Sequence, residues 1–335
     1  VHVVRFSIGF GKPLLRWRDH RGTDYCLGLF PIGGYVKLLD EREGPVPESM
    51  RPYAMQSRNV WQKIGIMIAG PLSNLLLAWV MFWSIFLVGM DQIKPVIAEV
   101  VEHTPAAQAN MSGGEQIIQA DQYSVNNWRE ITFVIMKHLG RQDSLRLVTV
   151  PFATPDQSIQ RTYTIDLTDW QINPLHPKLL DSIGLMPLTP KEDPRTIHRV
   201  RYSVWQAMGA SWAEILFYLK FNAIVIAKLF TGQVSLQSIA GPLTMFYQAG
   251  VLFQSGVVVY FYFIAMLSAI IAFINLLPIP GLDGSQILYL LFEKIRGRPV
   301  SMATQILIYR LGIIVIIVLC AQVLVYDILR FMLVS

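Results

Sequence analysis

Residues Asn275–Gly284 read N-L-L-P-I-P-G-L-D-G, and this stretch decides the fold because it ends a long uncharged run with a carboxylate. From Leu229 to Leu282 the chain has no Asp, Glu, Lys or Arg, so Asp283 is the first charged residue for more than fifty positions. A charged side chain in or near a bilayer is costly and marks a candidate site for an ion, a proton or a metal. Asp283 is therefore the leading candidate functional residue.

Two prolines predict that the membrane-crossing helix breaks before this carboxylate. Pro278 and Pro280 lack a backbone N–H and disfavour helix at the residue before each of them. A broken helix at membrane depth is tolerated where it is buried in protein or lines a wet cavity. A helix that ends in a Pro-Gly turn at the membrane surface would give the same spacing. The pattern alone leaves both interpretations open.

Composition predicts a membrane protein. Hydrophobic residues make up 53% of the 335 residues and charged residues 15%, with a mean hydropathy of +0.42, whereas soluble domains carry about 25% charged residues. The net charge of +5 comes from basic residues beside apolar runs, as the positive-inside rule predicts, so we expect the lipid bilayer and no nucleic acid as a partner. The chain has only two cysteines, Cys26 and Cys320, which is too few for a disulfide framework.

The chain divides into segments at its apolar runs. We predict transmembrane helices at 61–91, at 251–284 and at 310–335, since about 20 apolar residues cross a bilayer. Residues 201–250 have helical spacing interrupted by charges, which favours an interfacial, amphipathic helix and a loop. Residues 285–309 are predicted to be a basic cytoplasmic loop. The positive-inside rule then places the segment between the first two helices outside the cytoplasm.

Two regions have a β-rich pattern. Residues 1–60 form a basic region on the cytoplasmic side, in which P-I-G-G at 31–34 predicts a hairpin or a looped sheet edge. Gly33 and Gly34 allow close backbone approach, so this edge either is a simple turn or pairs with an extended peptide. Residues 92–200 mix strand-like runs with helical spacing, which is typical of a small soluble α+β insert with a linker.

Six short segments, in this order along the chain, resemble the site-2 protease family of intramembrane zinc metalloproteases, peptidase M50. They are Arg5–Gly11; Pro31–Lys37 with Leu39–Arg42; Ala69-Gly70-Pro71 with Asn74; Gly241-Pro242; Asn275–Gly284; and Tyr309-Arg310 with Gly312. The resemblance implies an α-helical integral membrane protein of the bacterial inner membrane, with three transmembrane helices here and four with a missing first one. It also implies a membrane-associated β-loop and an inserted PDZ-like domain in the periplasm.

The same resemblance assigns expected roles to residues. Asp283 would be the third ligand of a Zn²⁺ ion near the cytoplasmic face. The residues expected to hold an unwound substrate helix are Asn275, Pro278 and Pro280, with the β-loop residues Gly33, Gly34, Tyr35 and Val36 beside the active site. The PDZ-like insert would screen the outer portion of the substrate.

Two departures from the family pattern affect the functional expectation. The family's H-E-x-x-H supplies two zinc ligands and a general-base Glu, and none of the six His lies in such a motif. We expect this Glu upstream of Val1, in a helix missing from the chain or lost from a truncated gene. As given, the chain is predicted not to hydrolyse peptide bonds. It also has one PDZ-like insert where the family often has two.

The leading functional hypothesis is a protease that cuts single-pass membrane proteins within their membrane helices. Substrates would be of the anti-sigma factor type, with remnant signal peptides as a further class. The alternative is a catalytically inactive membrane scaffold that binds peptide tails through the PDZ-like domain. A channel or transporter with Asp283 as an ion site is disfavoured, because transporters often show internal repeats and this sequence shows none.

Overall fold

The computed structural model describes residues 1–41, 46–153, 159–171, 179–298 and 301–334. The chain forms two compact units. Unit 1 contains residues 1–70 and 276–308, and unit 2 contains residues 71–275 and 309–335.

The strands and helices follow one another along the chain, with single 3₁₀ turns between some of them. Up to the middle of the insert they are β1 (Val3–Arg18), β2 (Asp24–Leu38), α1 (Val60–Val88), β3 (Met90–Ile93), β4 (Ile97–Val100), α2 (Pro105–Gln108), β5 (Glu115–Ala120), β6 (Tyr123–Ser124) and α3 (Trp128–His138). They continue as β7 (Ser144–Pro151), β8 (Arg161–Asp166), α4 (Leu179–Ile183), β9 (Leu185–Pro187), β10 (Ile197–Val200), α5 (Val204–Phe230), α6 (Pro242–Gln254), α7 (Val257–Leu276), α8 (Asp283–Arg296) and α9 (Met302–Val334).

Among the described residues, three helices are long and apolar enough to cross a membrane: α1, α7 and the 303–330 part of α9. They overlap the three predicted runs, but α7 ends at Leu276 and not at 284, and the third span begins at 303 and not at 310. The second helix starts later than the predicted position 251, because α6 continues to Gln254 and Gly256 interrupts the backbone with a φ of 126°. Apolar composition alone does not reveal such a break, since both sides of it are equally hydrophobic.

The predicted cytoplasmic loop at 285–309 is wrong for its first half, because α8 occupies residues 283–296. Glu293, Lys294 and Arg296 form the last turn of this helix, and Gly297 ends it in a left-handed conformation with a φ of 69°. Cations near a helix C-terminus and a glycine just beyond it are favourable end signals. Lys294 and Arg296 were interpreted as part of a polar loop, whereas they lie at the end of a helix.

In unit 1, β1 and β2 pair antiparallel, and the register is doubled. Phe6 lies opposite both Val36 and Tyr25, and Ile8 lies opposite both Gly34 and Leu27. The first half of β1 therefore lies between the two halves of β2, while the second half of β1 pairs with the first half of β2. This folded ribbon leaves the 34–38 half of β2 at an edge of the sheet.

In unit 2, the 92–200 insert is built on a four-stranded antiparallel sheet in the order β6-β5-β7-β8, with α3 packed against it. Its core contains Ile117, Ile131, Ile135, Leu147 and Ile165, all fully buried. Strands β3 and β10 pair antiparallel and close the base of the insert.

Helix α5 packs against α1 and α7 in unit 2. Phe82 of α1 stacks on Tyr218 of α5 and meets Tyr262 of α7 edge to face. The helix is not one of the three candidate membrane spans. Its charged residues interrupt the apolar run, and its predicted interfacial position stays a prediction.

Candidate functional site

Asp283 is the first residue of α8, and its carboxylate lies against the backbone of α1. A Cβ built on Gly70 would lie 3.3 Å from Oδ2 of Asp283. A larger residue at position 70 would therefore press on this carboxylate. Gly70, the glycine of the Ala-Gly-Pro motif, is the residue of α1 that lies next to the Asp283 carboxylate.

The segment before Asp283 is non-helical, as the prolines predict. Helix α7 ends at Leu276, and two short turns follow, with Ile279 N–H donating to Leu277 O at 2.8 Å and Leu282 N–H donating to Ile279 O at 3.1 Å. Gly281 has a φ of 101°, in the left-handed region that favours glycine. The break thus places Asp283 at the start of a new helix and not within the apolar one.

Gly284 is required by the same break. A Cβ at this position would lie 2.3 Å from the carbonyl oxygen of Leu277 and 2.4 Å from that of Leu276. Real Cβ atoms do not approach backbone oxygens so closely, so the end of α7 can pack on the start of α8 only over a glycine.

The carboxylate of Asp283 has no hydrogen bond or ion pair with another described residue. Asp283 is half-buried, and burial raises the pKa of its carboxyl group above the ordinary value. An unpaired carboxylate in such a place is destabilised in its charged form, and a bound cation would relieve that cost.

Asn275, Pro278 and Pro280 lie on either side of the helix end. Asn275 is in the last turn of α7 and half-buried, Pro278 is exposed, and Pro280 is half-buried. The structure places the two prolines in the non-helical segment of unit 1 and Asn275 at the end of the 71–275 part of unit 2. Their predicted role in holding a substrate stays a prediction.

The four predicted β-loop residues lie in β2. Gly33 and Gly34 continue the strand, and a Cβ at Gly34 would lie 2.4 Å from the carbonyl oxygen of Ser7. The glycine is needed for this close pairing, so a simple turn does not account for it. Tyr35 is 39% exposed and Val36 is 51% exposed, and no further strand pairs with this edge among the described residues.

An arginine cluster on the same ribbon was missed by the sequence analysis. Asp24 of β2 pairs with Arg16 at 2.6 Å, Arg5 at 3.6 Å and Arg18 at 3.8 Å, all from β1. The hydrogen bond from Arg16, with the charges of the three arginines, lowers the pKa of the Asp24 carboxyl group. Arg16 and Arg18 reach Asp24 across the turn between β1 and β2, whereas Arg5 reaches it because the register is doubled.

Asp327 is a second carboxylate that the sequence analysis missed. It lies in the apolar α9 and is fully buried. It accepts hydrogen bonds from Gly241 N–H at 3.0 Å, Thr244 N–H at 3.1 Å and Thr244 Oγ1 at 2.7 Å. A Cβ at Gly241 would lie 2.4 Å from Oδ2 of Asp327, which explains the glycine of the Gly241-Pro242 motif. The available signal was a lone acid inside an apolar run.

A Zn²⁺ ion finds only part of its ligand set in these residues. Asp283 is chemically suited to one ligand position, since carboxylate oxygens coordinate zinc. Among the described ranges, no group of three His, Cys, Asp or Glu side chains could hold a metal. The residues present fit one position of a zinc site and do not complete it.

Comparison with known proteins gives a consistent match over the chain. The family model described as peptidase family M50 matches residues 1–319. "Regulator of sigma-E protease RseP" of Escherichia coli (strain K12) is 28% identical over 419 aligned positions, which cover 98% of this chain and 92% of the relative. "Protease RseP" of Yersinia pestis is 29% identical, with the same coverage of both chains. "Putative zinc metalloprotease PM1991" of Pasteurella multocida is 27% identical, again with the same coverage.

The length of the first alignment carries further information. It spans 419 positions, whereas this chain has 335 residues, so the relative holds at least 84 residues within the matched region that have no counterpart here.

Proposed function

Because the chain belongs to peptidase family M50, we propose that it is the substrate-holding and Asp-bearing part of an intramembrane zinc metalloprotease. Its substrates would be single-pass membrane proteins, cut within their membrane helices. The observation that carries the proposal is Asp283, a half-buried carboxylate without a partner among the described residues, set at a helix break directly after an apolar span.

Asp283 would supply one ligand of the zinc ion. Bound zinc lowers the pKa of a water molecule and polarises a carbonyl group. Gly70 and Gly284 leave the space that the carboxylate and the helix break need. These two glycines would take no part in the reaction. Gly70 leaves room for the Asp283 carboxylate, and Gly284 leaves room for the end of α7.

The 34–38 edge of β2 would hold the substrate in an extended form. A membrane helix satisfies its own backbone hydrogen bonds, so unwinding it for cleavage exposes N–H and C=O groups at a cost. An exposed sheet edge offers new partners for these groups. Tyr35 and Val36 would contact substrate side chains, and Asn275, Pro278 and Pro280 would hold the unwound segment from the other end.

The proposed setting is the bacterial inner membrane, with the insert at 92–200 in the periplasm. The insert would act as a PDZ-like domain that screens the outer portion of the substrate. Relatives named as regulators of sigma-E protease support a substrate of the anti-sigma factor type, and remnant signal peptides are a second substrate class of the same topology.

Residues 1–335 contain no H-E-x-x-H, so the remaining zinc ligands and the general base would come from outside these residues. The same observation favours a second candidate, an inactive membrane scaffold that binds peptide tails through its insert. The two candidates differ in the DNA upstream of the Val1 codon. An in-frame apolar segment of about 20 residues with H-E-x-x-H supports the protease. A stop codon with no such segment supports the scaffold.

The biochemical test uses a single-pass reporter in membranes. We expect no cleavage by residues 1–335 alone, and zinc-dependent cleavage once an apolar helix with H-E-x-x-H precedes Val1. A protein that inserts correctly, carries this helix and binds zinc but leaves the reporter intact would contradict the proposal.

A further inference from the structure

The insert packs on α5 along one face of α3. Phe133 of α3 packs on Phe217 and Phe221 of α5, with ring centroids 5.1 and 6.3 Å apart. At the end of α3, Lys228 of α5 donates a hydrogen bond to the carbonyl oxygen of Leu139. Helix α5 therefore covers part of the insert, which is not a freely tethered domain.

Arg129 lies at the other end of this face and reaches both α5 and α7. Its guanidinium group pairs with Glu214 of α5, including a bond of 3.1 Å from Nη2 to Oε2. It also donates to the hydroxyl of Tyr262 in α7 and lies over the ring of Phe217, 4.6 Å from its centroid. The hydroxyl groups of Tyr218 and Tyr262 are 3.1 Å apart and close the network.

This network is enclosed, and its charges depend on each other. The side chain of Glu214 is 11% exposed and that of Arg129 is 31% exposed. Burial acts to lower the pKa of Arg129, and the nearby Tyr262 and Glu214 outweigh it, so the net shift is upward. Removing one partner of an enclosed ion pair leaves the other charge uncompensated, which is strongly destabilising.

The network touches the helix that leads to the candidate site. Helix α7 has no Asp, Glu, Lys or Arg of its own, and Tyr262 is the residue through which Arg129 contacts it. Fourteen residues after Tyr262 the helix ends at Leu276, and the non-helical segment to Asp283 begins. Chain continuity at Leu276 is the route by which a shift of α7 would reach this segment.

We propose that Arg129 is a positioning residue, which through Glu214 and Tyr262 couples the placement of the soluble insert to the 277–282 segment. Arg129 touches neither substrate nor metal in this proposal. Its contribution to cleavage rests on the proposed function, whereas the coupling itself does not.

The test is hydrogen exchange by mass spectrometry on the full 335-residue chain in detergent micelles, wild type against Arg129→Met. We expect severalfold faster exchange in the first turn of α3, around Glu214 in α5, and in the 277–282 segment. The last region distinguishes coupling from simple attachment. Unchanged exchange at 277–282 together with faster exchange in α3 overturns the proposal, because Arg129 then only attaches the insert.

Two further variants keep the test decisive if Arg129→Met folds poorly. Tyr262→Phe retains the ring and removes only the hydroxyl, and we expect the same regions to respond to a smaller degree. Arg161→Met is the matched control, since Arg161 pairs with the buried Glu115 at 2.6 Å within the sheet of the insert. It should speed exchange in β7 and β8 and leave 277–282 unchanged. An equal response at 277–282 would show that any loosening of the insert suffices, and the role of Arg129 would be lost.

Cleavage supplies a separate readout. In a protein that carries H-E-x-x-H, Arg129→Met should lower the turnover of the reporter without lowering the zinc content. Equal turnover in the variant counts against the positioning role. If the wild type cleaves no reporter, the proposed protease function fails, and the exchange experiment still decides the coupling.

Discussion

Asp283 and Asp24 lie in the same unit, but their surroundings shift the pKa values of their carboxyl groups in opposite directions. Asp24 is held by three arginines, and its pKa is lowered. Asp283 lacks such partners among the described residues, and burial raises its pKa. A carboxylate that is already paired with arginines has its structural role assigned. This contrast supports the proposal that Asp283 binds a cation.

The Asp283→Asn variant tests whether the Asp283 carboxylate binds zinc. We expect the variant, in a protein that carries H-E-x-x-H, to lose cleavage and to retain much less zinc, because a neutral amide is a poor zinc ligand. Metal content after dialysis and reporter cleavage measure the two effects. Full activity with normal zinc content would remove Asp283 from the site. Asp24→Asn serves as the control, since it should leave zinc retention unchanged.

The pH dependence of the β1–β2 ribbon follows from Asp24. Its pKa in the folded protein lies below the ordinary value of about 3.9. Its stabilising effect is therefore present above that value and is lost as the pH falls through the lower folded value. Thermal unfolding of wild type and Asp24→Asn should differ at pH 7, and the difference should shrink as the pH falls below about 3.9. A constant difference across this range would contradict the assignment.

Among the elements, the break between α7 and α8 was the most predictable and α8 itself the least. Pro278 and Pro280 act locally, so sequence alone predicts where α7 stops. Helix α8 was missed because its last-turn charges resemble those of a cytoplasmic loop. The Arg129–Glu214 pair joins residues 85 positions apart, and no local pattern indicates such a contact. The three apolar spans were predictable because their length and composition are enough.

The β2 edge gives a prediction at the level of one strand. Gly34→Val places a branched side chain where even a Cβ would lie 2.4 Å from Ser7 O. We expect the pairing of the 34–38 half of β2 with β1 to open, while the 24–28 half stays paired. Hydrogen exchange of the two halves measures this directly. Val36→Thr, at an exposed position of the same strand, is the control. Equal protection of both halves in Gly34→Val would contradict the doubled register.

For the whole molecule, the insert is the part that can be removed to separate chemistry from substrate choice. The excision must lie within the predicted 92–200 insert and respect its strand pairs, because β3 pairs with β10 and β9 pairs with β4. Replacing 94–196 by a two-residue Asn-Gly turn keeps the β3–β10 ribbon, because the paired residues Ile93 and Ile197 cannot be joined directly. After this ribbon, Arg201 donates to Leu87 O at 3.0 Å at the end of α1. Excision also removes Arg129, so Glu214→Gln should accompany it to avoid an unpaired buried charge.

We expect the excised protein with H-E-x-x-H to cleave the single-pass reporter, at the lower turnover expected without Arg129, and also to accept reporters with larger outer domains. A series of reporters that differ only in the size of the outer domain measures this change. The matched control is the full-length protein with Arg129→Met and Glu214→Gln, which lacks the same ion pair. If the excised protein inserts correctly but cleaves none of the reporters, the insert contributes more than selection.

The carboxylate of Asp327 has a consequence for how the protein is made. A carboxylate within an apolar span makes the insertion of that span into a membrane less favourable. Its donors, Gly241 and Thr244, lie more than eighty residues earlier, so they leave the ribosome before α9 does. The last helix therefore arrives with its partner groups already synthesised. Asp327→Leu should make the insertion of α9 into the membrane easier. It also leaves the amides of Gly241 and Thr244 without their acceptor. A helix that inserts more easily can therefore still pack less well against the rest of the protein.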